Sequence, residues 1–224
     1  MSNDREFPYY YYENETLRGH LKVLLNKVSK MIEGKQEEDF DEIEIQLSGL
    51  MHLLVYFDIQ VGLLYPLKST IEHLKQSQPN ADEAIIINHV TFIDLTCKQS
   101  FVVLTAFSLE TILKFIADKY KITINDRDSI SKQYCTVMQY FDVEIGERDA
   151  LLDIFYWTRN TLHHGGKVTK AGQRKYKGGN FDFITGKIMK HAEWEYFTYF
   201  VNDIIDIIQE ILKSQKFTKV PLQE

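Results

Sequence analysis

The residues best suited to chemistry stand together in Arg159-Asn160-Thr161-Leu162-His163-His164-Gly165-Gly166. An arginine can hold a phosphate through paired N–H donors and neutralise the charge that develops on it. A histidine near its unperturbed pKa can take a proton from a hydroxyl or return one to a leaving oxygen. Arginine, amide and imidazole are therefore sufficient to cleave a ribose-linked phosphodiester by internal transfer, with no metal or cofactor. One histidine cannot easily serve both proton transfers, and a homodimer that brings two copies of the stretch together would supply the second. A structural reading stands beside this one, since cations in the last turn of a helix complement its dipole.

These side chains need a helix to aim them. Leu151, Ile154, Phe155, Thr158 and Leu162 fall within a narrow arc at 100° per residue, which marks a core-facing stripe. Arg159 sits at the edge of that stripe and Asn160 projects away from it. His163 lies roughly 40° from Arg159 and His164 roughly 40° from Asn160, on a different side. Gly165 and Gly166 are suited to end the helix, because glycine enters the left-handed region without a Cβ penalty.

Charge supports a phosphate partner locally rather than globally. The 224-residue chain carries a net charge of −6, which argues against a general nucleic-acid binder. Between Gly165 and His191, however, seven basic residues (Lys167, Lys170, Arg174, Lys175, Lys177, Lys187 and Lys190) face the single acid Asp182, so this segment is +6 and the remainder −12. It is a candidate RNA-contacting surface, with Lys167, Lys170, Arg174, Lys175 and Lys177 nearest the focal stretch. A solvated hairpin kept soluble by its lysines is the plainer alternative.

Other chemistries lack their residues. There is no His-Glu-x-x-His, and His191-Ala192-Glu193 has no Pro-Cys-x-x-Cys beside it. Gly186-Lys187 is followed by Ile188 and has no glycine before it at the Walker spacing, and no Gly-x-Ser-x-Gly elbow occurs. Cys97 and Cys135 stand alone, as small apolar residues of a reducing compartment. The first six residues are polar with no apolar h-region behind them, and the Phe101 to Leu109 stretch is cut by Glu110 and Lys114, far short of the ~20 residues a membrane span needs. The expectation is a cytoplasmic protein with no membrane contact.

The periodicity predicts an all-α protein: a bundle of four to six helices with a small β-hairpin or loop insertion, residues 165–191, before the last helix. Residues 1–13, with Tyr9-Tyr10-Tyr11-Tyr12 after Pro8, form an aromatic N-terminal tail, and 14–218 form a single domain. A first helix carries Leu17, Leu21, Leu24, Val28 and Met31. A second carries Ile43, Leu47, Leu50, Met51, Leu54, Phe57 and Val61 and is kinked at Pro66. The next, running from about Asp82 to Tyr120, is ~57 Å long if straight and is expected to bend near Thr96 to Ser100, with Phe101 to Ile116 as the central helix. Glu110 lies inside that apolar stretch and needs a partner, either an ion pair on a neighbouring helix or Arg159, which it would orient. A short helix covers Ile130 to Phe141. Lys167–Thr169 and Asn180–Thr185 look like a β-hairpin or ordered loop, and Trp194, Phe197, Val201, Ile204, Ile208 and Ile211 mark the closing helix.

An arginine, a polar residue and then a histidine near the end of a helix in an all-α bundle resembles the HEPN superfamily, and Arg159, Asn160 and His164 match that pattern with four intervening residues. The resemblance spans about residues 16 to 213. It implies a metal-independent endoribonuclease, of the kind used in toxin–antitoxin, abortive-infection or other defence systems, acting as a homodimer whose two motifs share one cleft, with an antitoxin or regulatory partner. By the same resemblance Arg159 binds phosphate, Asn160 orients it and His164 is the acid/base, with His163 as an extra candidate. Ile154 and Thr158 stand where some members carry glutamate and lysine. Other members bind RNA or nucleotides without cleaving them, and that non-catalytic module is the alternative.

Overall fold

In the computed structural model, the residues described are 14–34, 41–64, 67–125, 127–187, 189 and 193–218. Among them are eight helices and one hairpin: α1 (Asn14–Met31), α2 (Glu42–Leu64), α3 (Leu67–Ser77), α4 (Glu83–Lys119), α5 (Ile130–Tyr140), α6 (Arg148–His163), β1 (Gly172–Tyr176), β2 (Gly179–Phe183), α7 (Trp194–Lys213) and α8 (Gln215–Thr218). The chain is all-α with a hairpin insertion, but eight helices replace the four to six expected. Five of them run sixteen residues or more, and α3, α5 and the single turn α8 add the rest. The tyrosine-rich tail, the polar run at 35–39, Pro66, Lys190 and His191 lie outside the described residues.

The apolar seams read from the sequence bury, except at Met31 and Met51, which are half-buried. Leu17, Leu21, Leu24 and Val28 of α1 meet α2 and α7, and Leu47, Leu50, Leu54, Phe57 and Val61 of α2 pack onto α4. All six seam residues of α7 are buried. Phe57 and Phe101 meet edge to face at 5.1 Å, and Phe101 contacts Trp194 at 5.2 Å, which ties α2, α4 and α7 together.

Helix α4 starts at Asp82, whose carboxylate accepts from the Ala84 N–H at 2.7 Å, and it continues unbroken through Thr96 to Ser100, where the sequence reading expects a bend. Lys98, buried in that stretch, is held by Asp94 at 2.9 Å and Glu193 at 2.6 Å. The helix is not enclosed on all sides: Phe92, Leu104 and Phe107 are exposed, Phe107 at 64%. By length and composition α4 passes as a membrane-crossing helix, the one such helix among the described residues, and half of the qualifying window is buried inside the protein.

The second strand of the hairpin overlaps the stretch Asn180–Thr185 read from the sequence, and the first forms at Gly172–Tyr176 rather than at Lys167–Thr169. Its strands pair antiparallel with Gly172 opposite Phe183, Arg174 opposite Phe181 and Tyr176 opposite Gly179. Lys177 and Gly178 form the turn, both with positive φ, 45° and 80°, the twist a two-residue hairpin loop favours. Val168 instead accepts from Gly186 N–H at 2.9 Å and donates to Lys187 O at 3.1 Å, so Lys167–Thr169 forms the base of the loop and not its first strand. Tyr176, Phe181 and Phe183 bury the inner face against the bundle.

Candidate functional site

Helix α6 carries the focal residues. Leu151, Ile154, Phe155, Thr158 and Leu162 are buried, so the stripe anchors the helix in the core and leaves Arg159 half-buried at its edge and Asn160 exposed. The end is built by the two glycines: Gly165 and Gly166 take φ of 69° and 82°, and their N–H groups donate to Leu162 O at 3.0 Å and Thr161 O at 2.9 Å. A side chain at either position would strain this closure. His163 and His164 are exposed, their rings 5.7 Å apart and edge to face.

Arg159 and Asn160 border a cavity of ≈ 390 Å³ between α4, the start of α5, α6 and the loop before the hairpin. Glu110, Tyr156, Asp153 and Lys170 contribute to its wall. The Arg159 guanidinium is held from outside by one bond, Nη1 to Asn160 Oδ1 at 3.0 Å. Its inner end is different: Nε is buried and has no hydrogen-bond partner, and neither Glu110 Oε1 nor the Tyr156 hydroxyl has one. Burial pushes the Glu110 carboxyl up, and the attraction of Arg159 and Lys114 only partly offsets this. The Tyr156 phenol is raised well above its usual value by burial and by Tyr134 and Glu110, with Arg159 opposing. The Tyr134 hydroxyl beside it donates to Leu109 O at 2.9 Å, and its interaction with the Tyr156 hydroxyl raises the Tyr156 phenol further.

The sequence-predicted residues therefore separate into four groups. Arg159, Asn160, Glu110 and Lys170 meet at one cavity, while His163 and His164 lie at the helix end, outside its wall. Lys167 and Lys175 are exposed. Arg174 and Lys177 are engaged within the protein. Arg174 donates to Asp153 through Nε at 2.8 Å, pairs through Nη2 at 2.6 Å, and stacks its guanidinium 4.7 Å from the Trp157 ring centre. Lys177 contacts Asp203 at 3.0 Å and lies over Tyr199 at 4.8 Å. Burial lowers its ammonium pKa, but Tyr199 and Asp203 outweigh that and hold it above the ordinary lysine value.

Tyr156 and Trp157 escape the sequence reading. Trp157 packs edge to face on Phe183 at 5.3 Å, and a Cβ placed on Gly172 would come within 2.2 Å of its ring, so the glycine is what lets the hairpin lie on α6. The available signal was the alternation along β1, which puts Arg174 on the same inward face as Gly172 and Tyr176.

Two further features compete for attention. A cavity of ≈ 430 Å³ between α1, the hairpin and α7 is walled mainly by Tyr176, Phe181, Tyr196 and Tyr199. The free cysteines are poor nucleophiles: burial pushes Cys97 up to about 11 and also raises Cys135. Among the described residues no group of three or more His, Cys, Asp or Glu side chains is placed to hold a metal ion. Comparison with protein-family models, with curated proteins and with solved structures finds no match to this chain.

Proposed function

We propose that the protein is a cytoplasmic endoribonuclease that cleaves RNA without a metal, with Arg159 as the phosphate ligand. The observation that carries this reading is Arg159 itself, anchored on one side by Asn160 and bordering an open cavity with Lys170. A guanidinium fixed at one end offers its remaining donors to a phosphate at little reorganisation cost. The ribose 2′-oxygen attacks phosphorus as its proton passes to a base. The P–O5′ bond breaks, and the departing 5′-oxygen takes up a proton. The products are a 2′,3′-cyclic phosphate and a 5′-hydroxyl.

His164, or His163, is the proton carrier. Because both lie outside the wall of their own cavity, the imidazole comes from a second copy docked against this one. Phe107, one turn before Glu110 on α4 and 64% exposed, supports such a contact beside the site. A toxin or defence role with a regulatory partner accords with this chemistry.

The position of the histidines also supports the second reading, a non-catalytic RNA- or nucleotide-binding module. The two separate when labelled RNA is incubated with wild type and His164→Ala in EDTA and the product ends are identified. Cyclic phosphate ends from wild type, lost in the variant, are expected. Intact RNA with salt-dependent binding favours the module, and loss of cleavage in EDTA contradicts the metal-free mechanism.

A further inference from the structure

The cavity between α1, the hairpin and α7 has no part in the chemistry assigned to Arg159, and its wall is of another kind. At ≈ 430 Å³ it has the size of a small-molecule site. Aromatic rings reach it from two elements, Tyr176 and Phe181 from the hairpin and Tyr196 and Tyr199 from α7. Val23 of α1 stands in the same wall and is 49% exposed, and Tyr199 is exposed as well, so a ligand can reach the rings from solvent.

Lys177 and Glu195 are the charged carboxylate and ammonium residues of that wall, and they differ in what balances them. Lys177 is matched by Asp203 at 3.0 Å, and Asp203 also accepts from the Tyr176 hydroxyl at 2.7 Å. Glu195, half-buried in the first turn of α7, has no ion-pair partner among the described residues. At 100° per residue Glu195, Tyr199 and Asn202 fall within about 60° of one another. The carboxylate thus stands one turn from a tyrosine ring on the helix face that lines the cavity.

The wall is therefore aromatic with one unmatched negative charge. An anion would meet that carboxylate without a counter-charge, which sets this cavity apart from a phosphate site. A neutral ring would stack but leave Glu195 unanswered. An organic cation satisfies both parts, since the carboxylate balances its charge and the ring faces attract it. The rings already hold a cation of the chain itself: the Lys177 ammonium lies 4.8 Å from the Tyr199 ring centre and 5.5 Å from that of Tyr176. A primary ammonium would bring three N–H donors to be satisfied, whereas a fully methylated one brings none and packs its methyl groups on rings.

We propose that this cavity binds a small quaternary ammonium compound, with Glu195 as the counter-charge and the rings of Phe181, Tyr196 and Tyr199 around the methyl groups. It is a second site, independent of Arg159 and of RNA cleavage. Choline is the probe, and its neutral isostere, with a quaternary carbon in place of the nitrogen, is the control. Both are titrated into the 224-residue chain by calorimetry, and the choline N-methyl proton resonance is followed in parallel. Wild type is expected to bind choline about tenfold or more tightly than the isostere and to move the methyl resonance upfield, as ring faces do. Glu195→Gln keeps the side-chain shape and is expected to bring the two affinities within about threefold. Val23→Trp, at an exposed position, is expected to fill the cavity mouth and abolish binding and shift alike at an unchanged melting temperature. Equal affinity of wild type for the two probes, or no binding of choline, overturns the proposal. Choline binding that survives Val23→Trp overturns it too, as does a charge preference that survives Glu195→Gln.

Discussion

The hairpin underside and the Arg159 cavity adjoin along α6, sharing Asp153 and Trp157, and they treat charge in opposite ways. Beneath the hairpin, Arg174 is matched by Asp153 and covered by Trp157, while Lys177 is matched by Asp203 and the tyrosine rings. In the cavity, Glu110, Tyr156 and Arg159 each retain a buried polar atom without a partner. Cationic residues of similar sequence neighbourhood thus differ: Arg174 and Lys177 have internal partners that hold the hairpin down, and Arg159 keeps a buried Nε without one. A count of lysines and arginines along residues 165–191 cannot make that distinction, because the compensating Asp153 and Asp203 belong to other helices.

The contrast can be broken first at its steric centre. Gly172→Ala drives a methyl group into the Trp157 ring, and the hairpin or the tryptophan must shift. A loss of about 1–3 kcal/mol is expected in denaturant unfolding, the range for overpacking. An unchanged midpoint would mean that the hairpin does not lie on α6 as described. Arg174→Met removes a partly exposed ion pair and a cation–π contact, and solvent screening reduces the expected loss to about 1 kcal/mol.

The smallest effect has the opposite sign. Glu110 has its carboxyl pKa raised in the folded protein, so the native state holds that proton more tightly than the unfolded chain. Stability from this group is therefore present below the unfolded value and declines as pH rises through the folded one. Glu110→Gln is expected to melt a degree or two higher than wild type near pH 7 and to converge with it near pH 4, read from calorimetric scans. A variant that melts lower at pH 7 would show Glu110 to be a stabilising ion-pair partner, as a purely structural role requires.

Much of the scaffold was legible because its signal is local. The three-four spacing of Leu17 to Val28 and of Trp194 to Ile211 names the buried faces of α1 and α7, and Gly165-Gly166 names the end of α6. The strand register was not, since Lys167-Val168-Thr169 has the β-branched character of a strand, while Gly172–Tyr176, mostly polar, becomes one by lying on Trp157. Glu110 could be singled out as a carboxylate in an apolar run. That Tyr156 shares its surroundings depends on how α4 and α6 cross, which no spacing within either helix encodes.

The most direct measurement compares two charge-preserving substitutions, Arg159→Lys and Arg174→Lys, in RNA cleavage and in melting temperature. A lysine keeps the charge but loses the fork that grips a phosphate through paired donors. Arg159→Lys is expected to lower cleavage by about a hundredfold or more at unchanged melting temperature, the scale of losing one preorganised donor. Arg174→Lys is expected to cleave like wild type and to melt slightly lower. Full activity in Arg159→Lys, with activity lost instead in Arg174→Lys, would contradict the assignment of ligand binding to the cavity and of structure to the hairpin.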